Sequence, residues 1–119
     1  MKKNLSISVL LGALFSLIQM YSQAHAASFN CVKAQTKAEH QICEHLQLND
    51  ADVKMATTYN IVRRLVPMGT RSVIQTEQVS WLKLRDECQN NVDCLKHMYQ
   101  MRQQKLELHM DRIYKQGPF

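Results

Sequence analysis

Between residues 39 and 45 the chain reads Glu39-His40-Gln41-Ile42-Cys43-Glu44-His45, a thiol flanked by two imidazoles and two carboxylates. That set of groups could ligate a metal, or let an imidazole take the proton from a nucleophilic thiol. The spacing argues against both. His40 and His45 are five residues apart, so on a helix they point about 140° away from each other and cannot share a ligand. The other cysteines are Cys31, Cys88 and Cys94. Zinc motifs place paired cysteines two to four residues apart, whereas eleven residues separate Cys31 from Cys43 and five separate Cys88 from Cys94. No metal and no cofactor is expected. An even count in a short exported chain reads instead as two disulfides. Four cysteines allow three pairings, and sequence alone does not choose among them. The short loops favour neighbours, Cys31 with Cys43 and Cys88 with Cys94, each contributing about 2–3 kcal/mol on the chain-entropy account.

Little else in the chain could do chemistry. There is no G-x-S-x-G, no phosphate-cradling glycine loop and no H-E-x-x-H, so the nucleophile, nucleotide and metalloprotease patterns are missing. Paired carboxylates of the glycosidase kind need a cleft between them, for which so small a domain has little room. No catalytic residue is named, and an enzyme is not expected. Arg63-Arg64 with Arg71 could form a basic patch for nucleic acid or lipid headgroups. The clustering stops at three residues, so these read as solvated helix surface, and nucleic acid is not expected as a partner.

The full chain has 119 residues and a formal charge of +5. Its first 26 residues read as a leader: Lys2 and Lys3, an uncharged apolar run from Leu5 to Tyr21, then Ala24-His25-Ala26. That is a secretory signal with a small-residue cleavage site. Cleavage after Ala26 leaves a single domain, 27–119, of 93 residues, and removes two lysines, which lowers the net charge to +3. The expected location is the periplasm or beyond, with membrane contact only during export. A chain this short buries only roughly 60–65% of its unfolded surface, so its stability depends on the disulfides.

The elements that must position these residues are helices. Glycine occurs three times and proline twice, and no stretch alternates apolar and polar residues long enough for a sheet. Thr36 followed by Glu39 is a capping box that opens a short helix to about His45. Asn49 or Asp50 is placed to cap a second helix, with Met55, Tyr59, Val62 and Val66 as its apolar stripe. Pro67-Met68-Gly69 stops it. A third helix spans about 72–88, with Ile74, Gln78, Trp81, Arg85 and Cys88 on one face. After a turn at Asn90-Asn91, a fourth runs from about Val92 to Lys115, burying Leu95, Met98, Tyr99, Leu106, Met110 and Ile113. The fold class is all-α: a small disulfide-stapled bundle of three to four helices, two of them long and antiparallel. Trp81 falls on the apolar face and reads as core.

The cysteine-anchored segments also carry a resemblance. Cys31-x-x-Ala34-x-Thr36-x-x-Glu39-x-x-Ile42-Cys43, then Leu48, Asp52 and Tyr59, form its first half. Gln78-x-x-Trp81-Leu82-x-x-Arg85-x-x-Cys88 and Cys94-Leu95-x-x-x-Tyr99-x-x-Arg102 form its second. This order resembles the LprI-like lysozyme-inhibitor domain family over about residues 29 to 108. The resemblance implies a periplasmic protein that blocks a lysozyme by protein–protein contact. The alternative is a non-enzymatic envelope accessory module with another protein partner. The family's founding member is a lipoprotein, but Ser28-Phe29-Asn30 before Cys31 is no lipidation signal, so this chain is expected to be soluble. Thr36, Glu39, Asp52, Tyr59, Trp81, Arg85, Tyr99 and Arg102 are the matched positions, and structural work accounts for them. An inhibitor would present a loop to the enzyme's cleft. The segment from Pro67 to Ser72, with Arg63 or Arg71 as the contacting side chain, is the expected probe. Animal lysozymes are strongly basic, so a +3 domain gains no long-range steering towards one.

Overall fold

The computed structural model describes residues 27–117. The expected leader, residues 1–26, and the domain boundary that it sets lie outside them. The described residues form a short 3-10 turn, Cys31–Lys33, followed by four helices: α1 (Lys37–Glu44), α2 (Leu46–Leu65), α3 (Met68–Glu87) and α4 (Val92–Lys115).

The capping box opens α1. The Thr36 hydroxyl accepts from the Glu39 amide at 3.1 Å, and the Glu39 carboxylate accepts from the Thr36 amide at 3.1 Å. Asn91 caps α4 in the same way, its side chain accepting from the Cys94 amide at 3.0 Å. Both caps satisfy amides that would otherwise lack a partner in the first helical turn.

Two boundaries differ from the sequence reading. The second helix begins at Leu46, not beyond Asn49 or Asp50. His45 alone breaks the chain between α1 and α2; it takes an extended conformation and caps α2 without a side-chain bond. Asn49 is then 5% exposed, inside the helix and packed against the core. Polar side chains that often cap helices are here used in the interior. The third helix begins at Met68, four residues earlier than the apolar pattern suggests. Pro67, at φ −55° and ψ 156°, ends α2 and is itself the cap of α3. Proline is pre-set for the start of a helix and loses no amide bond there. The free loop expected over residues 67–72 is therefore helix from Met68 onward.

Paired bonds give the topology. Tyr99 bonds Asp52 and Gln103 bonds Thr58, so residue numbers rise together and α2 lies parallel to α4. Trp81 bonds Met98 while Glu77 meets Lys105, so α3 runs antiparallel to α4, and by the tight Pro67 corner also to α2. The closest packing is between α2 and α4. Their shared core includes Leu48, Met55, Val62, Leu95, Leu106 and Ile113, each under 5% exposed. Met98 and Met110 are only half-buried at its edge. The expected neighbour pairing of the cysteines is what the structure has. Cys31–Cys43 ties the 3-10 turn to α1 with Cα atoms 5.9 Å apart, and Cys88–Cys94 bridges α3 to α4 at 5.6 Å. Among the described residues no helix is long and apolar enough to cross a membrane.

Candidate functional site

Among the described residues, a concentration of polar chemistry inside the bundle lies near its cysteine-bearing end. Asp52, on α2, is 1% exposed. Its two carboxylate oxygens accept from the Tyr99 hydroxyl at 2.8 Å and from the Ser28 amide at 2.7 Å. Burial, and secondly the Asp52 carboxylate, push the Tyr99 phenol far above its ordinary pKa, so it stays protonated and donates. Tyr99 also meets the edge of Trp81, with ring centroids 5.1 Å apart and planes at 69°. The Trp81 indole donates to the Met98 carbonyl at 3.2 Å. Buried aromatic rings with a bonded polar end are stable in this arrangement.

Arg85 lies on the next turn of α3, with its guanidinium 6.0 Å from the Trp81 ring centre. It donates twice to Asp86, at 2.9 and 2.7 Å, and lies 3.8 Å from Glu39. Glu39 is thus shared between the cap of α1 and the interior arginine. Partial burial pushes its carboxyl pKa up, but the amides of Gln35 and Thr36, with Arg85, outweigh this and hold it below the usual value.

Further along, Arg102 is 3% exposed. Its guanidinium donates to Gln78 at 2.9 Å, to Glu77 at 3.4 Å and to the Ile74 carbonyl at 3.5 Å. Gln78 in turn donates to the Met55 sulfur at 3.3 Å. Burial lowers the Arg102 pKa, and Glu77 partly offsets that. Tyr59 is half-buried and carries Arg63 above its ring at 5.7 Å.

Chemically, this interior is closed. The donors and acceptors around Asp52, Tyr99, Trp81 and Arg85 bond one another, and all four cysteines are in disulfides. The described residues hold no group of three His, Cys, Asp or Glu side chains placed to bind a metal. His45 bonds Gln41 at 3.0 Å on the exposed side of α1. The two expected contact residues are not equivalent. Arg63 is held locally by Asn60 at 3.0 Å and by the Tyr59 ring. Arg71 lies in the first turns of α3, and its Nε is buried and bonds nothing among the described residues.

Sequence reasoning missed several members of this interior. Ser28 contributes only a backbone amide, which no side-chain pattern reveals. Glu77 reads as surface, yet it bridges Arg102 and Lys105, the latter at 2.9 Å. The signal that could have found it is its place beside Gln78, on the α3 edge that α4 must cover.

Fold and interior together define a class: a small all-α domain of four helices, stapled at one end by two disulfides. The comparison with curated proteins gives a distant relative. Lipoprotein LprI of Mycobacterium tuberculosis (strains CDC 1551 / Oshkosh and ATCC 25618 / H37Rv) and that of Mycobacterium bovis are each 28% identical to this chain over 78 residues. The match covers 63% of this chain and 38% of the relative, so the chain spans well under half the length of the curated relatives it matches. The relationship is LprI-like and distant. No family model matches the chain, and no solved structure matches it.

Proposed function

We propose that this chain is an exported, non-enzymatic protein-binding domain of the LprI type, whose partner is a lysozyme. The observation that carries this reading is that the matched polar residues are consumed internally. Asp52, Trp81, Arg85, Tyr99 and Arg102 are each at most 7% exposed and bonded to groups of the same domain. Residues so engaged hold a scaffold; contact with another molecule falls to the exterior. Two disulfides suit an oxidising compartment, and the relatives' name, Lipoprotein LprI, fits one too.

Charge favours one end for a basic partner. Residues 27–53 and 80–99, around the disulfides, carry a net −2, although the domain as a whole is positive. The domain's net charge still gives no long-range steering, but at contact a basic lysozyme is oriented towards that half and away from Arg63 and Arg71. The test is bacterial lysis by lysozyme with the mature chain added over a concentration series. Slowing that saturates near equimolar protein supports the reading. Unchanged lysis at about a hundredfold excess removes lysozyme as the partner. Capture from an envelope extract then tests the alternative, an accessory module with a different protein partner. Reversal of the exposed Asp50 and Glu87 to lysine should weaken inhibition several-fold, whereas Arg71→Ala should change it less.

A further inference from the structure

The other end of the bundle has the opposite character. Residues 54–79 and 100–117 carry a net +5. They meet where α2 ends, α3 begins and α4 ends, and Leu65, Pro67 and Thr70 there line a cleft of about 160 Å³ with His109, Arg112 and Gln116. The sequence reading counted three arginines at this corner and took them for ordinary surface. Folding adds Arg112 and Lys115 from the last turns of α4. Among the described residues none of Arg64, Arg71, Arg112 and Lys115 is in an ion pair; the same holds for Lys33, Lys37, Lys83 and Lys96 nearer the disulfides, so net charge and not the lack of partners distinguishes the corner. The positive field is felt locally: burial lowers the His109 pKa, and Arg112 lowers it further.

Cations at a helix C-terminus can simply complement the helix dipole. That accounts for Arg64, Arg112 and Lys115, but not for Arg71, which lies near the positive N-terminal end of α3. The same corner also exposes apolar side chains. Met68 is 81% exposed at the apex, with Leu65 at 44% and Tyr114 at 71%. A surface presenting Met68 and Leu65 beside unpaired cations matches an anionic bilayer, where apolar groups enter the headgroup layer and cations meet phosphates. A dissolved polyanion would use the cations and leave Met68 in water.

We propose that the α2–α3 corner is a docking surface for anionic phospholipid membranes, with Met68 and Leu65 entering the headgroup region and Arg64, Arg71, Arg112 and Lys115 contacting phosphates. This surface is separate from the acidic half assigned to a protein partner, so either assignment can fail without the other.

Co-sedimentation of the mature chain with vesicles tests it, using phosphatidylcholine alone and phosphatidylcholine with phosphatidylglycerol. Binding is expected only to the anionic vesicles, and it should weaken as added salt shortens the screening length. Each surface cation contributes about fivefold to such binding, so Arg64→Glu/Arg112→Glu/Lys115→Glu should lower it more than about a hundredfold. Met68→Ser should lower it several-fold with the salt dependence unchanged. Circular dichroism of each variant verifies the fold, because all four side chains are exposed. Equal binding to neutral vesicles would overturn the proposal. So would anionic binding that Met68→Ser leaves intact and heparin competes away, the outcome expected of a general polyanion site.

Discussion

The cysteine-bearing half and the α2–α3 corner are built from similar residues put to opposite uses. Near the disulfides, Arg85 is enclosed by Asp86, Glu39 and the Trp81 ring, and Asp52 is enclosed by Tyr99 and Ser28. At the corner, Arg64, Arg112 and Lys115 stand in water beside an exposed Met68. Buried charge is tolerated only when paired and bonded, so these interior groups are committed to holding the fold. Exposed ion pairs add little to stability, so the corner can keep its cations unpaired at small cost. The difference separates an end whose interior charges hold the domain together, leaving only its exterior to a protein partner, from an end whose charges stand free at the surface.

The largest test of that division is Trp81→Ala. It removes the ring that meets Tyr99 and the donor to the Met98 carbonyl. A loss of roughly 3–5 kcal/mol is expected, the range for emptying a large aromatic site. Thermal unfolding with the disulfides intact measures it. A melting temperature that barely moves, together with lost partner binding, would place Trp81 on the binding side of the comparison.

Next in size is the Cys31–Cys43 link, which fastens the segment carrying Ser28 to α1. Replacing both cysteines with serine should cost about 2–3 kcal/mol in denaturant unfolding, from the greater freedom of the unfolded chain. Tyr99→Phe acts within the same half. It takes one of the two donors from Asp52 and leaves the buried carboxylate bonded to the Ser28 amide alone. Roughly 1–3 kcal/mol should be lost. An unchanged midpoint would mean that water or Arg85 replaces the phenol, and that the interior is less closed than its bonds imply.

These interior positions were legible in the sequence to very different degrees. The face Ile74, Gln78, Trp81, Arg85, Cys88 repeats every three or four residues, and all five are buried. Helical periodicity alone locates such a face. Partner assignments needed the fold, because Asp52 and Tyr99 are 47 residues apart and no local rule links them. The helix starts failed for a related reason. Asn49 has the side chain of a cap but is packed in the core, while His45 and Pro67 cap without side-chain bonds. The corner was illegible because Arg112 and His109 are brought against Leu65, Pro67 and Thr70 only by the return of α4.

A smaller, pH-dependent effect distinguishes paired acids from free ones. Glu39 has a folded pKa below its ordinary 4.5, through the Gln35 and Thr36 amides and Arg85 acting against burial. As pH falls through 4.5 the unfolded chain takes up a proton that the folded chain still resists, so stability declines with acid. The contribution is fully present above that value and is gone once the folded pKa is passed. In Glu39→Gln the unfolding midpoint should be lower at neutral pH, and its fall between about pH 5 and 3 shallower. A parallel decline in both proteins would assign the acid sensitivity to Glu77, whose pKa Lys105 and Arg102 also hold down.

The smallest expected change concerns the corner, where it bears most directly on the comparison. Arg64 and Arg112 are exposed and make no ion pair among the described residues. Arg64→Ala/Arg112→Ala removes two positive charges from a half that carries +5. Two opposing terms nearly cancel: relief of mutual repulsion stabilises the fold, and loss of favourable contact with the C-terminal dipoles of α2 and α4 destabilises it. Each term is about 0.3–1 kcal/mol at low salt. The net shift in unfolding free energy should therefore stay within about 0.5 kcal/mol, the usual range for such surface changes. Denaturant unfolding at low and at physiological salt measures it, and added salt should shrink what difference there is. A loss approaching that of Tyr99→Phe would mean that the corner cations also hold the bundle together, and the division between enclosed charges near the disulfides and free charges at the corner would fail.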